Sequence, residues 1–159
     1  MSVEEQLITT FYTSFQQGNW RGMIDCYHTD VFFYDPVFQN LEGAEVRAMW
    51  EMLLGRAKAV KLDFSNVSGA DGHGSCNWIA EYRFPATGRN VINKATARFS
   101  IREGKIVEHQ DEFSLWKWSA QALGLPGQFF GWSSLLQENI RKKARANLEK
   151  FRTSKISLH

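Results

Sequence analysis

Apolar residues in the first third of the chain recur three and four positions apart. Leu7, Ile8, Phe11, Tyr12 and Phe15 therefore fall on one helical face. Ser2 and Glu5 supply the Ser-x-x-Glu arrangement that satisfies free backbone N–H groups at a helix start, and Gly18 supplies the stop. Trp20, Met23, Ile24 and Tyr27 predict a short second helix. Val31 to Asp35 is β-rich and ends at Pro36, which cannot continue a ladder. Beyond Gly43, the set Val46, Met49, Trp50, Leu53 and Leu54 predicts a third amphipathic helix closing near Gly55.

From about Ala57 the period changes to strict alternation. It predicts four strands over roughly residues 58–69, 74–85, 89–102 and 105–117, joined by turns at Gly69-Ala70-Asp71-Gly72, Pro85-Ala86-Thr87-Gly88 and Glu103-Gly104. Helices followed by an antiparallel meander define an α+β class. A strongly bent sheet wrapped around the N-terminal helices makes a cone open at one end. The last stretch is interrupted by Gly124, Pro126, Gly127 and Gly131, and a long helix is expected from about Ser133. Residues 1–118 read as the cone domain and 119–159 as a helical extension packed on it or on a partner subunit.

Composition sharpens the picture at one point. Six Trp and twelve Phe in 159 residues are more than a thin core needs. Such rings fill a thick core or line an apolar cavity. No run approaches the length of a membrane span, the N-terminus lacks the pattern of a signal peptide, and Cys26 and Cys76 have no CxxC spacing. A cytoplasmic protein without a metal or other cofactor is the expectation. The net charge of +2 selects no ligand class.

Alternation on the last strand puts Val107, His109, Asp111 and Phe113 on one apolar face. A carboxylate there loses hydration and must be hydrogen-bonded, paired or protonated. Asp35, at strand spacing from Val31 and Phe33, raises the same problem. Two carboxylates and an imidazole aimed into an aromatic interior are suited to proton transfer, because burial moves pKa values toward neutrality. Asp111, His109 and Asp35 are accordingly the candidate catalytic residues, with Trp78, Tyr82, Phe113, Tyr12, Asn93 and Phe99 as candidate walls for a substrate. Structural readings stand beside these. Asp35-Pro36 can serve only as a turn initiator, His109 as a core histidine satisfied by Asp111 or a Tyr hydroxyl, and Asp111 as a partner of Arg98 or Lys94.

Phe11–Gly18 with Asn19-Trp20, Tyr34-Asp35-Pro36-Val37, Gly43 with its following helix, and Gly104-Lys105-Ile106-Val107-Glu108-His109-Gln110-Asp111 together resemble the SnoaL-like branch of the nuclear transport factor 2-like superfamily. That superfamily includes polyketide cyclases, ketosteroid isomerase and limonene epoxide hydrolase. The resemblance implies a cone-shaped barrel with an internal pocket, in a homodimer built on the outer sheet face. Asp35 matches the isomerase base. However, Phe11 stands at its helix-one Tyr position, with Tyr12 one residue off, and Ala97 at its oxyanion Asp position. For the hydrolase relay, Arg98 and Asp111 fall near suitable places, but Ser100 stands where a carboxylate is needed. His109 and Asp111 are most similar to the cyclase arrangement. Asp111 would then exchange the proton, His109 would orient a substrate oxygen or share the proton, and Asp35 would act from the opposite wall. The function implied is a cofactor-independent isomerase, cyclase or hydrolase acting on a small apolar molecule. The alternative is a non-catalytic ligand-binding or scaffold module of the same fold.

Beyond Trp116 the chain continues past the usual end of this fold. Leu123 to Trp132 is glycine-hinged and apolar, fit to cover the pocket mouth or a neighbouring subunit. In the final helix Leu136, Ile140, Ala144, Leu148 and Phe151 share a face. Residues 141–155 carry seven basic side chains against Glu149 alone, leaving the rest of the chain at about −4. A helix docked on the domain is expected, with nucleic acid and membrane not the expected partners.

Overall fold

The computed structural model describes residues 1–56 and 60–157. Helices α1 (Val3–Gln16) and α2 (Trp20–Asp25) precede strands β1 (Tyr27–Asp35) and β2 (Gln39–Glu42), then helix α3 (Ala44–Arg56). Strands β3 (Lys61–Ala70), β4 (His73–Arg83), β5 (Asn90–Arg102) and β6 (Lys105–Glu112) follow, then helices α4 (Leu115–Leu123), α5 (Leu125–Phe130) and α6 (Ser134–Ser157). The six strands form one curved, unclosed sheet in the order β2-β1-β6-β5-β4-β3, with helices at both chain ends. This is the α+β architecture read from the sequence. The start of the first expected strand, at 58–59, lies outside the described residues.

The capping box forms as predicted. Ser2 Oγ accepts from the Glu5 amide at 3.0 Å while the Glu5 carboxylate accepts from the Ser2 amide. Helix α1 then buries Ile8, Phe11, Tyr12 and Phe15 against the concave face of the sheet. Its approach is close enough that Gly69 is required, since a Cβ there would sit 2.7 Å from Glu4 Cβ. At Gly74 a Cβ would displace the Cδ1 end of Ile8.

Three local expectations are corrected. Tyr27 opens β1 instead of closing the second helix, because Asn19 caps a helix that is complete by Asp25. The meander β3–β6 is antiparallel, but β1 joins β6 in parallel and β2 adds an unforeseen edge strand. Only Leu41 of β2 is buried, so its alternation is too short to read. The last strand ends at Glu112, not 117: Ser114 Oγ accepts from the Lys117 amide at 3.2 Å and starts α4, which buries Leu115, Trp118 and Ala122 at helical spacing. The glycine-hinged segment is thus mostly helical.

Helix α6 docks on the body. Leu148 is fully buried in the main core, with Ala144 and Phe151 packed beside it. Its arginines grip backbone carbonyls of the β1–β2 connection. Arg141 Nε donates to Pro36 O at 3.0 Å, and Arg145 donates to Phe38 O at 3.2 Å and Asn40 O at 2.6 Å. Lys155 pairs with Glu51 of α3. Among the described residues, no helix is long and apolar enough to cross a membrane.

Candidate acid/base site

Strand register fixes which side chains meet on the concave face. Phe33, His109 and Phe99 are level across β1, β6 and β5. On the inward positions two residues further along, Asp111 stands level with Ala97, and Ala97 with Cys76 of β4. In the parallel β1–β6 ladder the last pair is Tyr34 with Gln110, and each strand continues with a carboxylate, Asp35 and Asp111. Adjacent strands are ~4.8 Å apart, so the two acids are neighbours. Trp78 with Ala95, then Ala80 with Asn93, are the next cross-strand pairs on the same face. Ala80, Ala95 and Ala97, all buried, form a floor of small side chains beside Asp111.

His109 is 1% exposed and enclosed by the rings of Phe11, Phe33, Trp50 and Phe99. Its Nδ1 lies 2.7 Å from Tyr27 Oη, which accepts from Trp50 Nε1 at 2.9 Å. Its Nε2 lies 3.0 Å from Asp111 Oδ1, which also accepts from Trp78 Nε1 at 3.2 Å. One proton arrangement satisfies the whole chain. Trp50 donates to Tyr27, Tyr27 donates to Nδ1, and Nε2–H donates to Asp111. In that arrangement Nε2, facing a carboxylate that only accepts, carries the ring proton, and Nδ1 accepts from Tyr27. Among the described residues no hydrogen bond of normal geometry reaches Asp111 Oδ2 or the Asn93 side chain.

Asp35 Oδ1 accepts from the Val37 and Phe38 amides at 2.9 and 2.6 Å, which is the turn-initiating role. Burial pushes its carboxyl up to about 7, the Phe38 amide opposes this, and the Asp111 charge adds to the rise. Asp35 thus both shapes the turn and holds a proton near neutrality. The Tyr12 hydroxyl is fully buried near Asp111 and Cys76 but lacks a hydrogen bond of normal geometry. Burial raises its pKa well above the ordinary phenol value. The Tyr82 hydroxyl, which accepts from Trp118 Nε1 at 2.8 Å, is also raised by burial and lies within range of the Asp35 charge.

The remaining candidates divide. Trp78 and Asn93 line the floor around Asp111, and Tyr82 and Phe113 pack between the main core and the α4 cluster. Phe99 instead packs behind His109, the two rings tilted by 37° with centroids 4.5 Å apart. Both His109 nitrogens are occupied, so its ring has no free atom for a substrate oxygen. Arg98 pairs with Glu112 at 2.7 Å on the exposed face, which removes it as the partner of Asp111. Tyr27 and Trp50 were missed by sequence reasoning: both carry apolar periodicity, and only the hydroxyl and indole N–H distinguish them from core. Two open pockets, about 310 and 290 Å³, lie against the convex face around Phe32 and Glu108. Among the described residues, no cluster of three His, Cys, Asp or Glu side chains could hold a metal ion.

Residues 8–109 match the SnoaL-like domain family, and the chain belongs to that family. A comparison with curated proteins finds no match in sequence. Solved structures share the fold. A ketosteroid isomerase-like protein from Catenulispora acidiphila, in complex with trimethylamine, is 16% identical with TM-score 0.66, covering 77% of this chain and 95% of that one. A proposed polyketide cyclase from Pseudomonas putida is 20% identical with TM-score 0.65, covering 77% and 98%. TerC, co-crystallised with polyporic acid, is 16% identical with TM-score 0.61, covering 70% and 92%.

Proposed function

We propose that the protein binds a small, flat, apolar molecule over the alanine floor of the concave face and moves a proton on it with Asp111 and Asp35. The observation that carries this reading is the pair of neighbouring carboxylates with different hydrogen-bond environments. Asp111 is held by His109 and Trp78 through one oxygen, leaving Oδ2 to take a proton. Asp35, raised to about 7, is positioned to give one. His109 and Tyr27 act as positioning residues behind Asp111. Trp78, Asn93, Tyr82, Phe113 and Tyr12 form the walls. Carboxylate acid/base chemistry of this kind serves an isomerase, a cyclase or a hydrolase and needs no cofactor. Small molecules bound to two fold neighbours support a ligand of this size class. The homodimer through the convex face belongs to the same proposal, with Ile79 and Ile92 exposed there.

The test is α-proton exchange on a panel of flat cyclic ketones and hydroxyquinones, followed by ¹H NMR in D₂O. Protein-catalysed exchange that falls roughly 10²–10⁴-fold in Asp111→Asn supports the reading, and exchange equal in wild type and variant refutes the Asp111 role. A second reading, a non-catalytic binding module, is favoured by the complete satisfaction of His109. It predicts saturable binding of a panel member without exchange.

A further inference from the structure

We infer that the exposed aromatic face formed by α4, α5 and the first turn of α6 docks onto an anionic phospholipid bilayer surface. Trp116, Leu125, Phe129, Phe130, Trp132 and Leu135 are each at least half exposed. They form one patch. Trp116 Nε1 donates to Gln128 O, Trp132 Nε1 to Phe129 O, and Gln137 Nε2 to Gly131 O, which ties the three segments together. Apolar surface of this extent needs a cover. The patch lies beyond the matched family region, and none of its residues belongs to the acid/base site or its walls.

Charge identifies the occupant. Between Glu112 and Glu138 the chain carries no carboxylate, and its single charge there is Lys117. On α6 the acids are already engaged, Glu138 with Arg141 at 2.8 Å and Glu149 with Arg152 at 3.2 Å. Lys142, Lys143 and Lys150 are exposed and, among the described residues, make no ion pair. With Leu135 they fall within roughly 100° of arc on the helix surface. A face of Trp, Phe and Leu continued by a lysine stripe suits the acyl–headgroup boundary of an anionic membrane, where aromatic rings enter and lysines meet phosphates. A two-fold that paired the patch with itself would bring the lysine stripes of two copies toward one surface whose α6 carboxylates, Glu138 and Glu149, are already held by arginines, which disfavours a second copy. The inference reverses the expectation drawn from the sequence and is independent of the proposed chemistry.

The test uses the full-length protein with vesicles of phosphatidylcholine alone or with about 30% phosphatidylglycerol, at physiological ionic strength. Flotation is expected to show at least about tenfold stronger partition onto the anionic vesicles, falling with added salt. Lys142→Gln/Lys143→Gln/Lys150→Gln should reduce it to the neutral-lipid level, and Phe129→Ser/Phe130→Ser should remove it. Brominated lipid should quench the indole fluorescence of the wild type, a readout that needs no variant. Absence of both flotation and quenching overturns the inference. So does a dimer that Phe129→Ser/Phe130→Ser dissociates while vesicles leave the wild type unbound, since the patch would then be a self-association face.

Discussion

Asp35 and Asp111 follow the last paired residues of neighbouring parallel strands, so that two carboxylates sit side by side on the concave face. Their surroundings differ. Asp111 shares one oxygen between an imidazole and an indole, whereas Asp35 accepts two backbone amides in a turn. Burial raises the Asp35 carboxyl to about 7, and the neighbouring Asp111 charge adds to that rise.

Asp35 therefore makes stability depend on pH. Its folded pKa, about 7, exceeds the ordinary value of 3.8, so the folded state holds the proton more tightly than the unfolded chain. The resulting stabilisation is fully present below the unfolded pKa and is lost as pH rises through about 7. The contribution is at most about 4 kcal/mol. Urea unfolding between pH 4 and 8 should show this slope, and Asp35→Asn, which keeps an acceptor for both amides, should flatten it.

Tyr27→Phe removes the oxygen that joins Trp50 Nε1 to His109 Nδ1. A buried indole donor and an imidazole acceptor are left without a partner, at an expected cost of about 1–3 kcal/mol. The imidazole ¹⁵N shifts should place the ring proton on Nε2 in both proteins, held there by Asp111, while the Nδ1 resonance moves toward that of an unbonded nitrogen in the variant.

Arg145 ties α6 to the turn that shapes Asp35, through Phe38 O and Asn40 O. Arg145→Met keeps much of the aliphatic length and removes both bonds. Stability should fall by about 1 kcal/mol, with faster amide exchange at Val37 and Phe38, the two donors to Asp35.

Leu148 is 1% exposed in the core shared by α6 and the cone. Leu148→Ala should cost about 2–5 kcal/mol in a single cooperative transition. A separate, earlier melting of α6 with an unaffected body would contradict that packing.

The sequence displayed the inward set on β4 and β5 because alternation there is long and unbroken: Cys76, Trp78, Ala80 and then Asn93, Ala95, Ala97 and Phe99 all face the core. On β6 a shift in register breaks it, so that Ile106 is buried and Val107, expected on the His109 face, lines a convex-face pocket instead. The sequence also displayed α1 through its cap and periodicity. It hid Tyr27 and Trp50, whose partner His109 lies 82 residues from Tyr27, so no local spacing could join them. The parallel β1–β6 pairing is equally non-local. Ser114 misled the reading of β6, since an N-cap and an outward strand residue look alike until the Lys117 amide is seen to meet it. At Asp35 the turn-initiating bonds and a raised pKa belong to one side chain.

The most direct measurement is an amide-resolved NMR titration with a flat dihydroxyquinone, run on wild type and Asp111→Asn. The account predicts saturable shifts at Asn93, Ala95, Ala97 and Asp111 in the wild type, weakened in the variant. Shifts confined to Phe32, Arg102 and Glu108 on the convex face, or equal affinity in the two proteins, would contradict it.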